Sequence, residues 1–286
     1  MLTTFDAGDG RTLSYTRRGT GPLVVCIPGG PGMDPEAYFS DMDLPGYETL
    51  IFAPRGTGAS SRPGPPDAYR IADHVADVEE LRQHLDLEQL TIYGNSHGGC
   101  VALAYASTYP ERVARLIVIN APHSMGDGYL AAATDARERF KAALIDGEAR
   151  LQASDDAWLA IAKARDETER QRLFRIFMER YVARLEAAET GYLDRLCSAP
   201  MNFESVDVMS SEFQSGLELL DGAGAVEAPT LVTGSEYDVT VPAPMMRALA
   251  AALPYGQYVE FADIGHFPEV EAGPAFTNVM LEFLRS

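Results

Sequence analysis

Cysteine, positive charge and long apolar runs are all scarce in this sequence. The chain of 286 residues has three cysteines, Cys26, Cys100 and Cys197. An odd number without regular spacing supplies neither a disulfide framework nor a zinc-ligand pattern. Cys26 and Cys100 sit in apolar stretches and read as buried thiols. Lys and Arg total 23 against 42 Asp and Glu, a formal charge of −19. Such an excess of acid repels phosphate backbones and anionic lipid, so neither nucleic acid nor membrane is an expected partner. No segment reaches the roughly 18 uninterrupted apolar residues that a spanning helix needs. The opening stretch MLTTFDAGDGRTLSY lacks a basic region followed by an apolar run. It therefore does not read as a signal peptide, and a cytoplasmic protein is expected. Internal repeats and low-complexity tracts are also missing.

There is, however, ample material for a core: 46% of residues are hydrophobic, punctuated by 25 Gly and 18 Pro. That composition argues against wholesale disorder. The first half alternates strand-like and helix-like segments. TLSYTRRG (12–19) reads as an early strand. PLVVCIPGG (22–30) and ETLIFAPRG (48–56) are continuous apolar runs closed by Gly and Pro, as suits strands buried on both faces. In 67–86, Ile71, Val75, Val78, Leu81 and Leu85 form one stripe at helical spacing. QLTIYGNS (89–96) is a strand, GGCVALAYASTYP a helix stopped before Pro110, and RVARLIVINAP (112–122) another strand. Roughly a hundred residues of helix-forming sequence follow, with almost no strand signal. The alternation then resumes with APTLVTGSEYD (228–238), VPAPMMRALAAALP, GQYVEFADIG and AFTNVMLEFLRS. The expected architecture is an α/β fold with a mostly parallel sheet and helices on both faces. Residues 1–122 and 223–286 would form its core, and 123–222 an inserted helical cap.

The stretch LTIYGNSHGGCVALAYA contains Gly94-Asn95-Ser96-His97-Gly98, a G-x-S-x-G pattern between a strand and a helix. A sharp turn there would lift the Ser96 hydroxyl above the sheet, with Gly94 and Gly98 relieving the crowding. Alone, the pattern also fits an ordinary tight turn. A serine needs a base, and only five histidines are available. His74 and His84 belong to the helix at 67–86 and read as surface or core-edge residues. The His97 side chain should point away from the Ser96 hydroxyl, leaving its backbone N–H as the useful part. His123 opens the cap and reads as a hinge. His266, in DIGHFPEVE, follows the last strand at the carboxyl end of the sheet, where sites form in doubly wound folds. Asp238 ends LVTGSEYD at another such end and would orient the imidazole. Glu236 and Asp263 compete for that role, but Glu236 sits closer to the strand and Asp263 reads as a turn residue. The order Ser96, Asp238, His266 matches Ser…Asp/Glu…His of the α/β-hydrolase fold. CIPGGPGMD supplies Gly29 and Gly30, whose N–H groups can approach a ligand closely. Gly30, with the His97 N–H, is the candidate oxyanion hole.

With these residues in hand, the chain resembles prolyl iminopeptidase-like α/β-hydrolases from end to end of the core. PGGPG at 28–32 is similar to their HGGPG loop, with Pro28 at the histidine position. APRGTGASSRP at 53–63 is similar to their D-x-R-G-x-G-x-S segment, with Ala53 at the acidic position. The cap matches only by position and helical character. The resemblance implies a serine peptidase or esterase needing no metal or other cofactor. It also implies cap glutamates that bind a substrate amine, and Glu212 and Glu204 are the candidates. Some members add a glutamate after the catalytic aspartate; here Asp238 is followed by Val239. The elbow GNSHGG is also similar to the G-N-S-x-G-G of hydrolases that cleave carbon–carbon bonds. Relatives that use an aspartate nucleophile, epoxide hydrolases and dehalogenases, are disfavoured by Ser96.

The expectation is therefore a serine hydrolase acting through an acyl-enzyme on a small-molecule or short-peptide amide or ester. Carboxylesterase, lactonase and carbon–carbon hydrolase remain alternatives on the same three residues. A non-catalytic ligand-binding protein on the same fold is the alternative of another class. Oligomeric state is left open. Eight aromatic and Met residues of the cap (Trp158, Phe174, Phe177, Met178, Tyr181, Tyr192, Met201 and Phe203) could line an apolar pocket, but most are expected to serve as cap core.

Overall fold

A computed structural model of the chain describes residues 1–64 and 68–286. Its sheet has eight strands: β1 Leu2–Asp6, β2 Thr12–Gly19, β3 Leu23–Ile27, β4 Glu48–Ala53, β5 Leu90–Asn95, β6 Val113–Ile119, β7 Thr230–Ser235 and β8 Gly256–Phe261. They lie in the order β1-β2-β4-β3-β5-β6-β7-β8. β1 and β2 pair antiparallel, as do β2 and β4, and every other neighbouring pair is parallel. The long apolar runs become the central strands. All six residues of β7, for instance, are buried, as expected where helices cover both faces.

Between β2 and β5 lie α1 Pro35–Tyr38 and α2 Ile71–His84, and α3 His97–Thr108 follows β5. Five helices come between β6 and β7: α4 Asp127–Ala143, α5 Gly147–Ile161, α6 Glu167–Met178, α7 Ala187–Ser198 and α8 Phe203–Gln214. They form the inserted helical region. Its two arms leave and rejoin the core side by side: Leu219 N–H donates to His123 C=O at 2.8 Å, and Ser124 bridges Glu218. After β7 come α9 Ala243–Ala252, α10 Pro268–Glu271 and α11 Pro274–Arg285. One core layer packs α2, α3 and α9 on the sheet through Val78, Leu103 and Leu249. The other packs α1, α11 and the insertion through Phe39, Phe276 and Tyr192. Among the described residues no helix is long and apolar enough to cross a membrane.

The apolar stripe expected in 67–86 is observed in α2, where Ile71, Val75, Val78 and Leu81 are buried. The expected start at 67 lies outside the described residues. The same helix buries Asp77 and His74, so His74 is a core residue rather than a surface or edge one. Strand β1 has no counterpart in the sequence reading. It is a short, half-exposed edge strand held only by β2, with too few buried positions to show a period.

Strand order positions the site. β3 lies between β4 and β5, parallel to both. The chain leaves β3 toward β4 and returns on the other side to form β5. Connections from the carboxyl ends of β3 and β5 therefore diverge, and a crevice opens where the strand order reverses. Gly29 and Gly30 follow β3, and Ser96 follows β5.

The loop after β4 is fixed by charge. Asp77 is fully buried and accepts from Arg55 Nε at 2.7 Å, Arg55 Nη2 at 2.7 Å and Arg11 Nη1 at 2.8 Å. The remaining Arg55 donors reach the carbonyls of Ala68 and Asp73. Removing Asp77 leaves the buried Arg55 guanidinium with only the part-exposed Asp73 carboxylate, 3.3 Å from Nη1; breaking a buried pair costs about 3–5 kcal/mol. Asp77→Ala should accordingly lower the unfolding free energy by about 3 kcal/mol in a urea titration. A loss below about 1 kcal/mol would mean the pair is solvated in solution.

Candidate active site

Ser96 stands between the end of β5 and the start of α3 with φ 53° and ψ −123°. A non-glycine residue there is strained by about 1–3 kcal/mol. Surrounding contacts impose it. Ser96 N–H donates to Ile119 C=O at 2.8 Å, and Ser96 C=O accepts from Gly99 and Cys100 N–H at 2.9 and 3.1 Å. A Cβ on Gly98 would collide with the carbonyl oxygens of Ile27 and Pro28, and one on Gly94 with the backbone of Gly98. Only glycine lets the turn close this tightly. Asn95 is fully buried, and its Oδ1 accepts from Tyr38 Oη–H at 2.6 Å. In this fold the asparagine of GNSHGG thus anchors the turn from below.

Asp238 and His266 come together from the loops after β7 and β8. His266 Nδ1–H donates to Asp238 Oδ2 at 2.6 Å, and each side chain is 1% exposed. Asp238 Oδ1 accepts from the N–H groups of Thr240 and Val241, both at 2.8 Å. These bonds use the carboxylate's remaining acceptor and fix its plane. The imidazole is thereby held in the tautomer that leaves Nε2 with a lone pair. Nε2 is buried and makes no hydrogen bond among the described residues. Contacts of this kind commonly tighten only when substrate binds. Glu236 and Asp263, the competing carboxylates, are used elsewhere: Glu236 Oε2 accepts from Asp263 N–H at 3.0 Å, and Asp263 is a turn residue at φ 61°.

The end of β6 joins the two halves. Ile119 accepts from Ser96, while the next residue, Asn120, donates through Nδ2 to His266 C=O at 3.0 Å and to Ser235 Oγ at 3.1 Å. Asn120 is fully buried at φ 43°. The sequence reading passed over it, although a lone Asn ending an apolar strand run is a recognisable signal for such a tie. Tyr38 was also missed, and nothing in its local sequence marks it.

Gly29 packs against the Ser96 turn: a Cβ there would lie 3.0 Å from Ser96 Cβ. Gly30 lines the adjoining cavity. His97 is the first residue of α3, so its N–H belongs to the helix N-terminal set without an intrahelical acceptor. Its imidazole is buried against that of His74, ring centroids 5.1 Å apart. Burial, with the Arg55 charge adding to it, holds His74 down to about 3. Burial and His74 hold His97 well below the usual imidazole range. Both stay neutral and are poor bases. His123 is buried where the insertion begins, its Nε2 2.9 Å from Met245 C=O.

Between this crevice and the insertion lies a cavity of about 170 Å³. Met33, Met125, Met178, Met201 and Met209 line it, together with Tyr129, Trp158, Phe174, Phe177, Tyr181 and Phe213. Thr240 and Ser210 are its hydroxylic residues apart from the tyrosines, and none of its lining residues is charged. Six of the eight cap residues expected to form mainly cap core therefore face the cavity; Tyr192 and Phe203 do not. Tyr181 also packs edge-on to His266, centroids 4.9 Å apart at 87°.

Neither candidate amine anchor reaches this cavity. Glu212 Oε2 accepts from Ile71 N–H at 3.1 Å, capping α2 across the core–cap boundary. Glu204 is half exposed and 3.3 Å from Arg62. Among the described residues no three His, Cys, Asp or Glu side chains gather as a metal-binding group.

The family model for the alpha/beta hydrolase fold matches residues 22–272. A proline iminopeptidase of Clostridioides difficile (strain 630) is 25% identical over 286 residues, covering 96% of this chain and 94% of its own. RutD of Caulobacter sp. (strain K31), provisionally named a carbamate hydrolase, is 28% identical over 243 residues, covering 83% and 81%. An esterase structure from Exiguobacterium antarcticum superposes with a TM-score of 0.75 over the full length of both chains at 20% identity.

The strain at Ser96 can be measured directly. Ser96→Gly removes the Cβ that opposes the positive φ and should raise the unfolding free energy by about 1 kcal/mol. A destabilised Ser96→Gly protein would mean that the turn is relaxed in solution.

Proposed function

This chain belongs to the alpha/beta hydrolase fold family, and we propose that within it the protein is a serine hydrolase acting through an acyl-enzyme. The substrate is a small neutral ester with a short apolar acyl group. The observation that carries the chemistry is the buried Asp238–His266 pair, with its unpartnered Nε2, tied through the end of β6 to the strained Ser96. His266 Nε2 takes the Ser96 proton as Oγ bonds to the carbonyl carbon. The resulting oxyanion is held by the N–H groups of Gly30 and His97, with Gly29 shaping the loop. His266 then protonates the leaving alcohol, and the carbon–oxygen bond to it breaks. Water, deprotonated by the same nitrogen, attacks the acyl-enzyme, and Ser96 recovers its proton.

The cavity favours an ester over an aminoacyl amide. A protonated substrate amine in a site without a carboxylate would lose its hydration uncompensated. Sulfur and aromatic carbon instead suit an apolar group of variable shape. Full-length similarity to proteins named proline iminopeptidases favours the second reading, an aminopeptidase, in which Glu212 or Glu204 would have to turn toward the substrate. Residues 1–122 and 223–286 form the catalytic body in either reading, and 123–222 shapes the acyl pocket.

A substrate panel separates these readings. p-Nitrophenyl butyrate should turn over faster than prolyl-β-naphthylamide, and Glu212→Gln should leave both rates unchanged. Preference for the free amine, lost in Glu212→Gln, would establish the peptidase instead. Ser96→Ala should abolish turnover, and Asp238→Asn should lower kcat about ten-thousandfold by favouring the wrong tautomer. Ligand binding without turnover of any ester or amide would make the protein a receptor and refute the hydrolase reading.

A further inference from the structure

A short strap of the insertion, residues 181–183, runs directly over the loop that carries His266. On the cap side, buried Arg150 of α5 donates through Nη2 to the carbonyls of Val182 and Ala183, at 3.1 and 2.9 Å. On the core side, His266 N–H donates to Tyr181 C=O at 2.6 Å. The second tie is Glu271, the last residue of α10. Its Oε2 accepts from Ala183 N–H at 2.7 Å, and both its oxygens accept from Gly265 N–H at 3.0 Å. Oε1 also faces Phe267 N–H at 3.4 Å. One carboxylate thus gathers the amides on either side of His266 and an amide from the cap. Capping of α10 would account for the Phe267 and Gly265 bonds. It does not account for Ala183, which is 88 residues away in sequence. The seam is also sterically exclusive, because a Cβ on Gly265 would lie 2.5 Å from Tyr181 O and 3.0 Å from Ala183 N.

We propose that Glu271 is a positioning residue that locks the cap strap to the His266 loop, so that the placement of the base depends on the placement of the cap. Tyr181 completes the coupling. Its ring lines the cavity and meets the His266 ring edge-on, so a group filling the cavity presses on the segment that holds the base. The catalytic consequence rests on the serine-hydrolase reading; the structural coupling does not.

Glu271→Gln tests both. The amide replaces one acceptor oxygen with an N–H donor facing backbone N–H groups, at almost unchanged volume. Amide hydrogen exchange should then accelerate about tenfold or more in 181–183 and in 265–267 together, because both segments lose one shared partner. In the same variant, kcat per folded molecule for p-nitrophenyl butyrate should fall about tenfold or more, with KM changed less than about threefold, the signature of a displaced base. Exchange that stays unchanged, or that accelerates only in 265–267, overturns the lock and leaves a plain helix cap. Paired acceleration with unchanged kcat overturns the positioning role. Should Glu271→Gln fail to fold, Gly265→Ala opens the same seam from the other side and must give the same paired acceleration. Exchange needs no turnover, so a wild-type protein inactive on every ester would refute the hydrolase reading while the exchange result still decides the lock.

Discussion

The site is organised around one unfavourable backbone conformation. Ser96 is held at a positive φ by bonds on both sides: its N–H on Ile119 and its C=O under the first turn of α3. Relaxing the turn would break those bonds and separate β5 from β6 at their carboxyl ends. Tight packing of the helix against the β3 carbonyls, which only Gly98 permits, makes relaxation more expensive still. The sheet, in effect, bears the strain of a residue presented at its edge. Asn95, which ends β5, and Asn120, just after β6, are buried and secure this arrangement to Tyr38 below and to the His266 loop beside it.

Charge separates outward from inward in this molecule. The chain carries a net charge of −19, yet the cavity between the candidate site and the insertion has no charged lining. The acidic surface repels anions at long range. Met and aromatic side chains reward apolar surface at contact and adapt to its shape. The insertion contributes most of that lining, so under the proposed function the acyl preference would be set by cap side chains and the chemistry by the core.

What could be read in advance follows the same division. The buried strands, the serine turn and the Asp238 and His266 loops each carry a local signal: an apolar run, a glycine pair, a polar residue just past a strand. Their order along the chain converts weak signals into one constellation. The insertion offered only helical periodicity, which tells that a face is apolar but not whether it meets another helix or a cavity. That is why Trp158, Phe177 and Met201 fit either core or pocket in the sequence; all three line the pocket, and Phe177 and Met201 also pack against the core. Glu212 and Glu204 were drawn from resemblance alone; one caps a helix and the other sits at the surface. His74 was misread because a helix stripe counted in apolar residues gives no weight to a neutral buried imidazole. Asp77, Asn120 and Glu271 act through partners tens of residues away, and no local pattern encodes those distances.

In the proposed chemistry Ser96 is the nucleophile and His266 its base. Incubation with a fluorophosphonate, followed by digestion and mass spectrometry of the labelled peptide, tests it most directly. A single covalent adduct should form on Ser96, rapidly in the native protein and very slowly in His266→Ala. An adduct on another residue, or labelling of Ser96 at the same rate without His266, would contradict it.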